Sequence, residues 1–229
     1  NITINPPTTP LFGIDSANVL LDINVDSSAP KNLIKAGNDL TFSGSHHSCL
    51  FGSNSSIDAS DYTIGSMSDN SLIINSDYSC VIGKSCRIGD GNNNKYNFTL
   101  GNENTIKASN NFMVGENNNS ESSDSTIFGN QNIIYSSISD VNLIIGRQNK
   151  IIDIVGSQKS KSSGYILGNN NQIKTNSSNA NLSSAVCEAK IIGDSNCCDI
   201  SYNRSQESII IGNNNKILDT TYVMGDLNY

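Results

Sequence analysis

Pairs of predominantly apolar residues followed by glycine recur along most of this chain. The glycines of these cores are Gly52, Gly65, Gly83, Gly101, Gly115, Gly129, Gly146, Gly168, Gly193, Gly212 and Gly225. The residue before the glycine is apolar in all eleven cores. Short β-branched runs that end at glycine are typical of strands entering tight turns, because glycine tolerates the positive φ that such turns need. Each core is therefore predicted to be a strand followed by a corner.

A polar column accompanies the glycines. Three residues after the glycine the chain carries Asn104, Asn118, Asn132, Asn149, Asn171, Asn196, Asn215 and Asn228. The three other cores have Ser55, Ser68 and Cys86 there. Amides stacked in register can donate and accept along a ladder, which satisfies polar groups that would be costly to bury singly. We therefore expect a structural corner ladder rather than an array of ligand contacts.

The spacing of the glycines sets the length of the repeat. Gly101, Gly115 and Gly129 are fourteen residues apart, and Gly65 follows Gly52 after thirteen. Asn75 can fill the glycine position of one more core. Two strands and two corners fit a coil of this length, and parallel coils stack about 4.8 Å apart. The predicted fold is all-β, a parallel β-solenoid over residues 45–229. Residues 1–44 are predicted to be an N-terminal cap or connector, with one strand at 18–25.

Later intervals between glycines lengthen to between seventeen and twenty-five residues. Insertions in a solenoid are expected to leave the wall at a corner and lie on the surface, where they often bind partners. The predicted excursions are residues 153–163, 174–188 and 199–207. Tyr165, Tyr202 and Tyr222 lie near them in sequence and are candidate ligand contacts, since tyrosine offers ring surface and a hydroxyl. The simpler interpretation is that the excursions are tolerated surface loops that bind nothing.

Two segments carry a resemblance to a known family, NFTLGNENTI at 97–106 and IIIGNNNKI at 209–217. The pattern apolar-apolar-Gly-x-x-Asn/Ser-x-apolar resembles the head repeats of trimeric autotransporter adhesins, the YadA-like heads, and related repeats of bacteriophage and giant-virus fibres. The resemblance covers about residues 45–229. It implies a left-handed β-roll, a homotrimer, and attachment of a cell or virion to a host surface glycan or glycoprotein. This chain has Ile where the bacterial heads favour Ala, and its coils are less uniform.

The residues themselves also favour trimerisation, independently of the resemblance. A thin coil of about fourteen residues encloses little apolar volume, so association that buries further Ile-bearing faces stabilises it.

The net charge of −7 and the sequence pI near 4.7 argue against a nucleic-acid binder, because such proteins cluster Lys and Arg against phosphates. No apolar run approaches the roughly 20 residues of a membrane span. The chain begins at Asn1, which suggests a processed product or a fragment of a longer polypeptide. The resemblance implies an extracellular location on a virion or cell surface.

Residue types that support catalysis or metal binding are few. Six cysteines lack the paired spacing of a zinc site and are expected to be small buried residues, with Cys187 and Cys197 or Cys198 as a candidate disulfide pair. His46 and His47 are expected to be structural corner residues. Two hexapeptides, IGKSCR and IGDGNN at 82–93, resemble those of left-handed-helix acyltransferases, but the period is not kept. The glycine-rich, Asp-bearing nonapeptides of calcium-binding β-rolls are missing.

The predicted function is therefore a non-enzymatic surface or fibre module without cofactors. One alternative is a carbohydrate-cleaving, tailspike-like β-helix, which needs paired carboxylates. Glu116, Glu121, Asp124 and Asp140 are available for that role, but no spacing places two of them together. Another alternative is a purely structural spacer or ice-facing solenoid. Ice-binding faces show regular Thr columns, which the irregular outward positions here lack.

Overall fold

The computed structural model describes residues 12–14, 19–21, 34–43, 45, 47–89, 94–135, 141–155, 161–177, 186–201, 206–218 and 222–227. Every regular element in these ranges is a β-strand. The chain divides into two compact units, unit 1 at residues 1–107 and unit 2 at residues 108–229. Parallel strands stack in each unit as the coils of a β-solenoid, which confirms the predicted fold class.

Unit 1 opens with an antiparallel pair and continues as two parallel walls. Its strands are β1 (Phe12–Ile14), β2 (Val19–Leu21), β3 (Ile34–Asn38), β4 (Thr41–Ser43), β5 (Cys49–Ser53), β6 (Ser56–Asp58), β7 (Ile64–Asp69), β8 (Leu72–Ile74), β9 (Ser76–Asp77), β10 (Cys80–Lys84), β11 (Arg87–Ile88), β12 (Asn94–Lys95), β13 (Phe98–Leu100) and β14 (Thr105–Ile106). Wall 1 has the order β3-β5-β7-β10-β13, and wall 2 has the order β4-β6-β8-β11-β14. Strands β9 and β12 form a short parallel pair on a third side.

Unit 2 repeats the two walls with longer strands. They are β15 (Phe112–Glu116), β16 (Asn119–Ser120), β17 (Ser125–Asn130), β18 (Ile133–Tyr135), β19 (Asn142–Arg147), β20 (Lys150–Val155), β21 (Lys161–Leu167), β22 (Gln172–Ser177), β23 (Val186–Ile192), β24 (Cys197–Ser201), β25 (Gln206–Ile211), β26 (Lys216–Leu218) and β27 (Tyr222–Met224). The odd-numbered strands β15 to β27 form wall 1, and the even-numbered strands β16 to β26 form wall 2. All pairs along both walls are parallel.

The core is built by alternation along each strand, since successive side chains of a strand point to opposite faces. In β17 the buried Ile127 lies between the half-buried Thr126 and the exposed Phe128. The buried apolar residues in the described part of unit 2 are Met113, Ile127, Ile144, Ile166, Ala189, Ile191 and Ile210 on wall 1 and Ile134, Ile151, Ile173, Cys198 and Ile217 on wall 2. Each wall thus contributes about one apolar side chain per coil, and the core is narrow.

The register corrects the predicted core at Gly65. Gly65 pairs with Leu50 and Val81, which places it in the inner column of wall 1 rather than at a corner. Ser68 pairs with Gly52, and the register shifts within β7. The corner residue three positions later is therefore Ser71, not Ser68. Extra residues in β7 are accommodated as a bulge, which sequence spacing alone does not show.

Two further boundaries differ from the predictions. The ladder of wall 1 begins at β3, where Gly37 pairs with Gly52, so the solenoid starts before residue 45. Ile73 and Ile74 belong to β8 on wall 2, which is the second strand of a coil, so residues 73–75 are not an additional core. The strand predicted at 18–25 is the short β2, which pairs antiparallel with β1.

The predicted excursions are partly wall. Asp153, Ile154 and Val155 pair with Thr175, Asn176 and Ser177. Lys161 and Ser162 likewise pair with Val186 and Cys187. The described flanks of the three segments therefore lengthen the strands instead of leaving the wall, because adjacent long coils satisfy one another's backbone groups. Residues 156–160, 178–185 and 202–205, including Tyr202, lie outside the described residues.

Candidate functional site

The corner of unit 2 is held by a ladder of buried amides. Asn149 Nδ2 donates to Asn132 Oδ1 at 3.1 Å and to the Gly168 carbonyl at 2.6 Å. Its Oδ1 accepts from the backbone nitrogen of Asn171 at 3.0 Å and from Asn171 Nδ2 at 3.2 Å. The same pattern joins Asn118, Asn132, Asn149, Asn171, Asn196 and Asn215. These side chains are at most 1% exposed.

The corner asparagines are therefore structural, since both hydrogens and the oxygen of the amide bind neighbouring coils. Asn104 is also fully buried in unit 1, and Asn228 lies outside the described residues. In the preceding coils of unit 1 smaller groups take the same place. The backbone nitrogen of Ser71 donates to Ser55 Oγ at 3.0 Å, and that of Cys86 donates to Ser71 Oγ at 3.1 Å.

Unit 1 contains two further hydroxyl columns that sequence reasoning missed. In the first, the backbone nitrogens of Ser60 and Ser76 donate to Ser45 Oγ and Ser60 Oγ at 3.0 and 2.8 Å. The second runs through Ser48, Thr63, Ser79 and Asn97. The recurrence of small polar residues three apart was the available signal, but serine is too common in this chain for the pattern to stand out.

The residue before each corner glycine points outward and forms an exposed apolar column on wall 1. In unit 2 this apolar column comprises Val114, Phe128, Ile145, Leu167, Ile192, Ile211 and Met224. Phe128 is 40% exposed, and Ile192 is 46% exposed. The same apolar pairs that predicted the strands thus supply one buried and one exposed residue per coil.

The structure brings Tyr165 and Tyr222 into one column of the same face. Tyr165 pairs with Lys190, Lys190 with Ile209, and Ile209 with Tyr222. Lys190 Nζ lies 3.0 Å from Glu188 Oε1, 3.4 Å from Glu207 Oε1, and 5.9 Å from the centre of the Tyr165 ring. The Tyr222 hydroxyl donates to Glu207 Oε2 at 3.2 Å. We call these five side chains, Tyr165, Glu188, Lys190, Glu207 and Tyr222, the Lys190 patch.

In the Lys190 patch one lysine pairs with two glutamates, so the patch carries a net charge of −1. The hydrogen bond to Glu188, with a further contribution from Glu207, raises the pKa of Lys190. The hydrogen bond to Glu207 raises the pKa of Tyr222. Both groups therefore keep their protons at neutral pH. Exposed ion pairs of this kind add little stability, so the patch is a polar surface rather than a structural brace.

A shallow cleft of about 420 Å³ opens at the corner of unit 2. It is lined by Gln131, Arg147, Gln148, Asn169, Asn170, Asp194 and Ser195. Gln148 Nε2 donates to Gln131 Oε1 at 3.0 Å, and Asn169 Nδ2 donates to Asp194 Oδ1 at 3.1 Å. The lining is polar and offers both donors and acceptors, which suits hydroxyl-rich ligands better than apolar ones.

Aromatic rings stack at an outer corner of unit 1. His47, Tyr62, Tyr78 and Tyr96 occupy the same position in four successive coils, with ring centroids 4.7, 5.1 and 5.1 Å apart. We call this set the aromatic stack. It places His47 at a corner, as predicted, while His46 lies outside the described residues. The tyrosines recur at intervals of sixteen and eighteen residues, a repeat that the glycine pattern alone does not reveal.

The cysteines of the described residues carry free thiols at Cys49, Cys80, Cys86, Cys197 and Cys198. The predicted disulfide between Cys187 and Cys197 or Cys198 is therefore wrong, because both Cys197 and Cys198 are free thiols. The side chain of Cys187 is not among those that the structure describes. Cys198 takes the inner position that Ile173 and Ile217 hold in adjacent coils. Burial there raises the pKa of its thiol to about 12, so it stays protonated and is a poor nucleophile.

Within the described residues no group of three or more His, Cys, Asp or Glu side chains could hold a metal ion. Of the four carboxylates considered for glycoside cleavage, Asp124 Oδ1 accepts from Asn110 Nδ2 at 2.9 Å. Asp140 lies outside the described part. In that same part, no helix is long and apolar enough to cross a membrane.

Comparisons with protein-family models, with curated proteins and with solved structures find no match for this chain.

Proposed function

We propose that this chain is a non-enzymatic fibre module that assembles as a homotrimer and attaches a virion or cell to a host surface. The observation that carries the proposal is the apolar column, a continuous row of outward-facing apolar side chains on wall 1 of unit 2, in which Val114 is half-buried and the other six are exposed. Such a row gives a rigid repeat protein a surface for association with copies of itself.

Rigidity is supported by the internal ladders. Six amides in unit 2 join successive coils through side-chain and backbone hydrogen bonds. Because each coil contacts its neighbours along both walls, a solenoid of this kind resists bending within a unit. A surface fibre must be stiff, and the polar corner side chains contribute to this stiffness through their hydrogen bonds between coils.

Self-association is supported by the size and position of the apolar column. Its seven members span roughly 30 Å at about 4.8 Å per coil. Exposed apolar patches larger than a few hundred Å² mark interaction sites. The narrow core gives each chain little buried area of its own, so covering the column supplies what a single chain lacks. Closed cyclic symmetry would place three identical columns around one axis.

Host contact is supported by the polar surfaces of unit 2. The Lys190 patch presents two tyrosine rings beside charged groups, and the corner cleft presents amides beside Arg147 and Asp194. Rings and paired donors and acceptors are the groups that bind saccharides. We assign host glycan or glycoprotein contact to these two surfaces, while the apolar column serves assembly.

Sedimentation of the full chain tests the assembly. We expect a mass three times 24.5 kDa at micromolar concentration. The double substitution Leu167→Lys and Ile192→Lys puts charges into the column and should reduce the mass to that of one chain. Leu218→Lys adds one charge of the same sign at an exposed position of wall 2 and should leave the trimer intact. A single-chain mass for the unmodified protein would refute the proposed assembly.

Binding to host cells or to immobilised glycans tests attachment separately. Tyr222→Ala addresses the Lys190 patch, and Arg147→Ala addresses the cleft. At least one of them should weaken binding ten-fold or more while the trimer mass is unchanged. Undiminished binding by both variants would place the attachment surface elsewhere, and a trimer that binds no host surface would leave only a structural spacer.

A further inference from the structure

The aromatic stack holds bulky residues in a backbone conformation that they rarely adopt. Tyr62, Tyr78 and Tyr96 have φ of 56, 54 and 57°, and His47 has 52°. Elsewhere in the chain such positions are mostly held by Asn, Gln or Ser, as at Asn170. A left-handed conformation is strained for such residues, and the stacking of neighbouring rings offsets only part of that strain. Four consecutive strained aromatics therefore point to a role beyond closing the corner.

The three tyrosines are arranged ring over ring with their outer edges in solvent. The Tyr62 and Tyr78 rings are 2° from parallel, and the Tyr78 and Tyr96 rings are 16° from parallel. The three side chains are 50, 48 and 60% exposed. Each phenol can therefore be reached by an oxidant from solvent, while its ring stays beside that of the next coil. Oxidised phenols held in this way meet a partner of the same kind before they meet solvent-borne reactants.

We infer that the aromatic stack is an oxidative cross-linking site at which neighbouring tyrosines couple to dityrosine. Each of two adjacent phenols loses one electron and one proton to become a phenoxyl radical. The radicals join by a carbon–carbon bond between ring carbons next to the oxygens, and the two hydrogens on those carbons move to the oxygens to restore both rings. A peroxidase with hydrogen peroxide is the oxidant, and the peroxide takes the two electrons and two protons and leaves as two waters.

The stack gives the coupling its selectivity. Tyr78 lies between Tyr62 and Tyr96 and can join either, whereas those two are about 10 Å apart across it. In the part of the chain that the structure describes, the other tyrosines have different partners. Tyr135 accepts a hydrogen bond from Asn119, and Tyr222 donates to Glu207. Coupling should therefore occur once per chain and include Tyr78, tying two successive coils together covalently.

Peroxidase treatment of the full chain, followed by mass spectrometry under denaturing conditions, tests the inference. We expect single chains lighter by two hydrogen atoms, with the cross-link mapped to Tyr62–Tyr78 or Tyr78–Tyr96. Tyr78→Phe keeps a stacked ring but cannot form a phenoxyl radical at that position, so it should lower the yield of intrachain dityrosine at least ten-fold. Tyr135→Phe removes a phenol outside the stack and should leave the yield unchanged.

Three outcomes would overturn the site. They are a cross-link mapped to Tyr135, Tyr165 or Tyr222, a product that joins different chains and rises with protein concentration, and an undiminished yield in Tyr78→Phe. A folded, oxidised chain without any dityrosine would also overturn it. The expected result does not depend on trimer formation or host attachment, because the expected cross-link is intrachain and is read after unfolding.

Discussion

Single side chains in this protein act as members of columns, and the amide ladder shows what that demands of each residue. An interior amide donates one hydrogen bond to the preceding coil and one to the following coil, and its oxygen accepts two from the following coil. Asparagine meets this demand because its short side chain carries both donor hydrogens and an acceptor oxygen. Ser71 and Cys86 serve the same position in unit 1 with one group that accepts from a backbone nitrogen and donates to a carbonyl.

Replacement of one ladder amide should therefore weaken the fold well beyond the loss of one contact. In Asn149→Ala the Gly168 carbonyl, the Asn132 oxygen and the Asn171 backbone nitrogen lose partners in a buried corner. We expect the free energy of unfolding to fall by about 3 kcal/mol, since each buried unsatisfied group costs about 1–3 kcal/mol. Urea denaturation measures the change.

The matched control is Asn130→Ala, which removes an exposed acceptor of the Glu116 backbone nitrogen. Water replaces that partner, so the loss should stay below about 1 kcal/mol. Equal losses in the two variants would mean that the ladder is no more important to stability than a surface hydrogen bond.

At the scale of strands and corners, the sequence predicted most of unit 2 and less of unit 1. Glycine after two apolar residues marks the end of a wall strand in every described coil of unit 2. Gly65 follows the same pattern in unit 1 but lies in the inner column, because a bulge in β7 shifts the register. The sequence around Gly65 contains nothing that separates the two arrangements, since the pairing partner decides between them.

The long coils were misjudged for a related reason. Residues 153–155 and 175–177 look like insertions when coil lengths are compared, yet they pair with each other as strands. Two neighbouring coils that lengthen together can extend their ladder, and this depends on spatial adjacency rather than on either segment alone. The sequence shows which residues are apolar, but it does not show which residue of each apolar pair points outward. Alternation along a strand decides this only once the register is known.

Some glycines in these elements are needed because a neighbouring backbone lies too close, and others because a neighbouring side chain does. Substitution by alanine distinguishes the two cases. Gly146 has a φ of 142°, and an added Cβ would overlap the backbone carbonyl of Gly168 in the next coil. Gly164 lies in the inner column, where an added Cβ would meet the end of the Ile151 side chain at 2.6 Å. The first obstacle is backbone, whereas the second is the flexible end of a side chain.

We therefore expect Gly146→Ala to prevent stable folding or to cost more than about 4 kcal/mol, because strain and overlap add at one position. Gly164→Ala should cost about 1–3 kcal/mol, as modest overpacking does. Thermal unfolding followed by circular dichroism compares the two. A Gly146→Ala protein as stable as Gly164→Ala would show that the corner backbone can move aside.

The whole chain combines a narrow core, an exposed apolar column and a net charge of −7. These features make opposite contributions to the proposed self-association. Covering the apolar column favours it, while like charge on each copy opposes it at low ionic strength. If the chain assembles as proposed, its acidic composition should keep separate assemblies apart without preventing association through one apolar face.

Salt should therefore strengthen the assembly. Raising the ionic strength from 0.1 to 1 M shortens the screening length from about 10 to about 3 Å, which weakens repulsion between acidic chains and leaves apolar burial in place. We expect the single-chain fraction at a fixed low protein concentration to decrease in sedimentation runs at the higher salt. An interface held mainly by ion pairs would respond in the opposite direction. Dissociation on adding salt would therefore exclude the apolar column as the main contact and direct attention to charged groups such as those of the Lys190 patch.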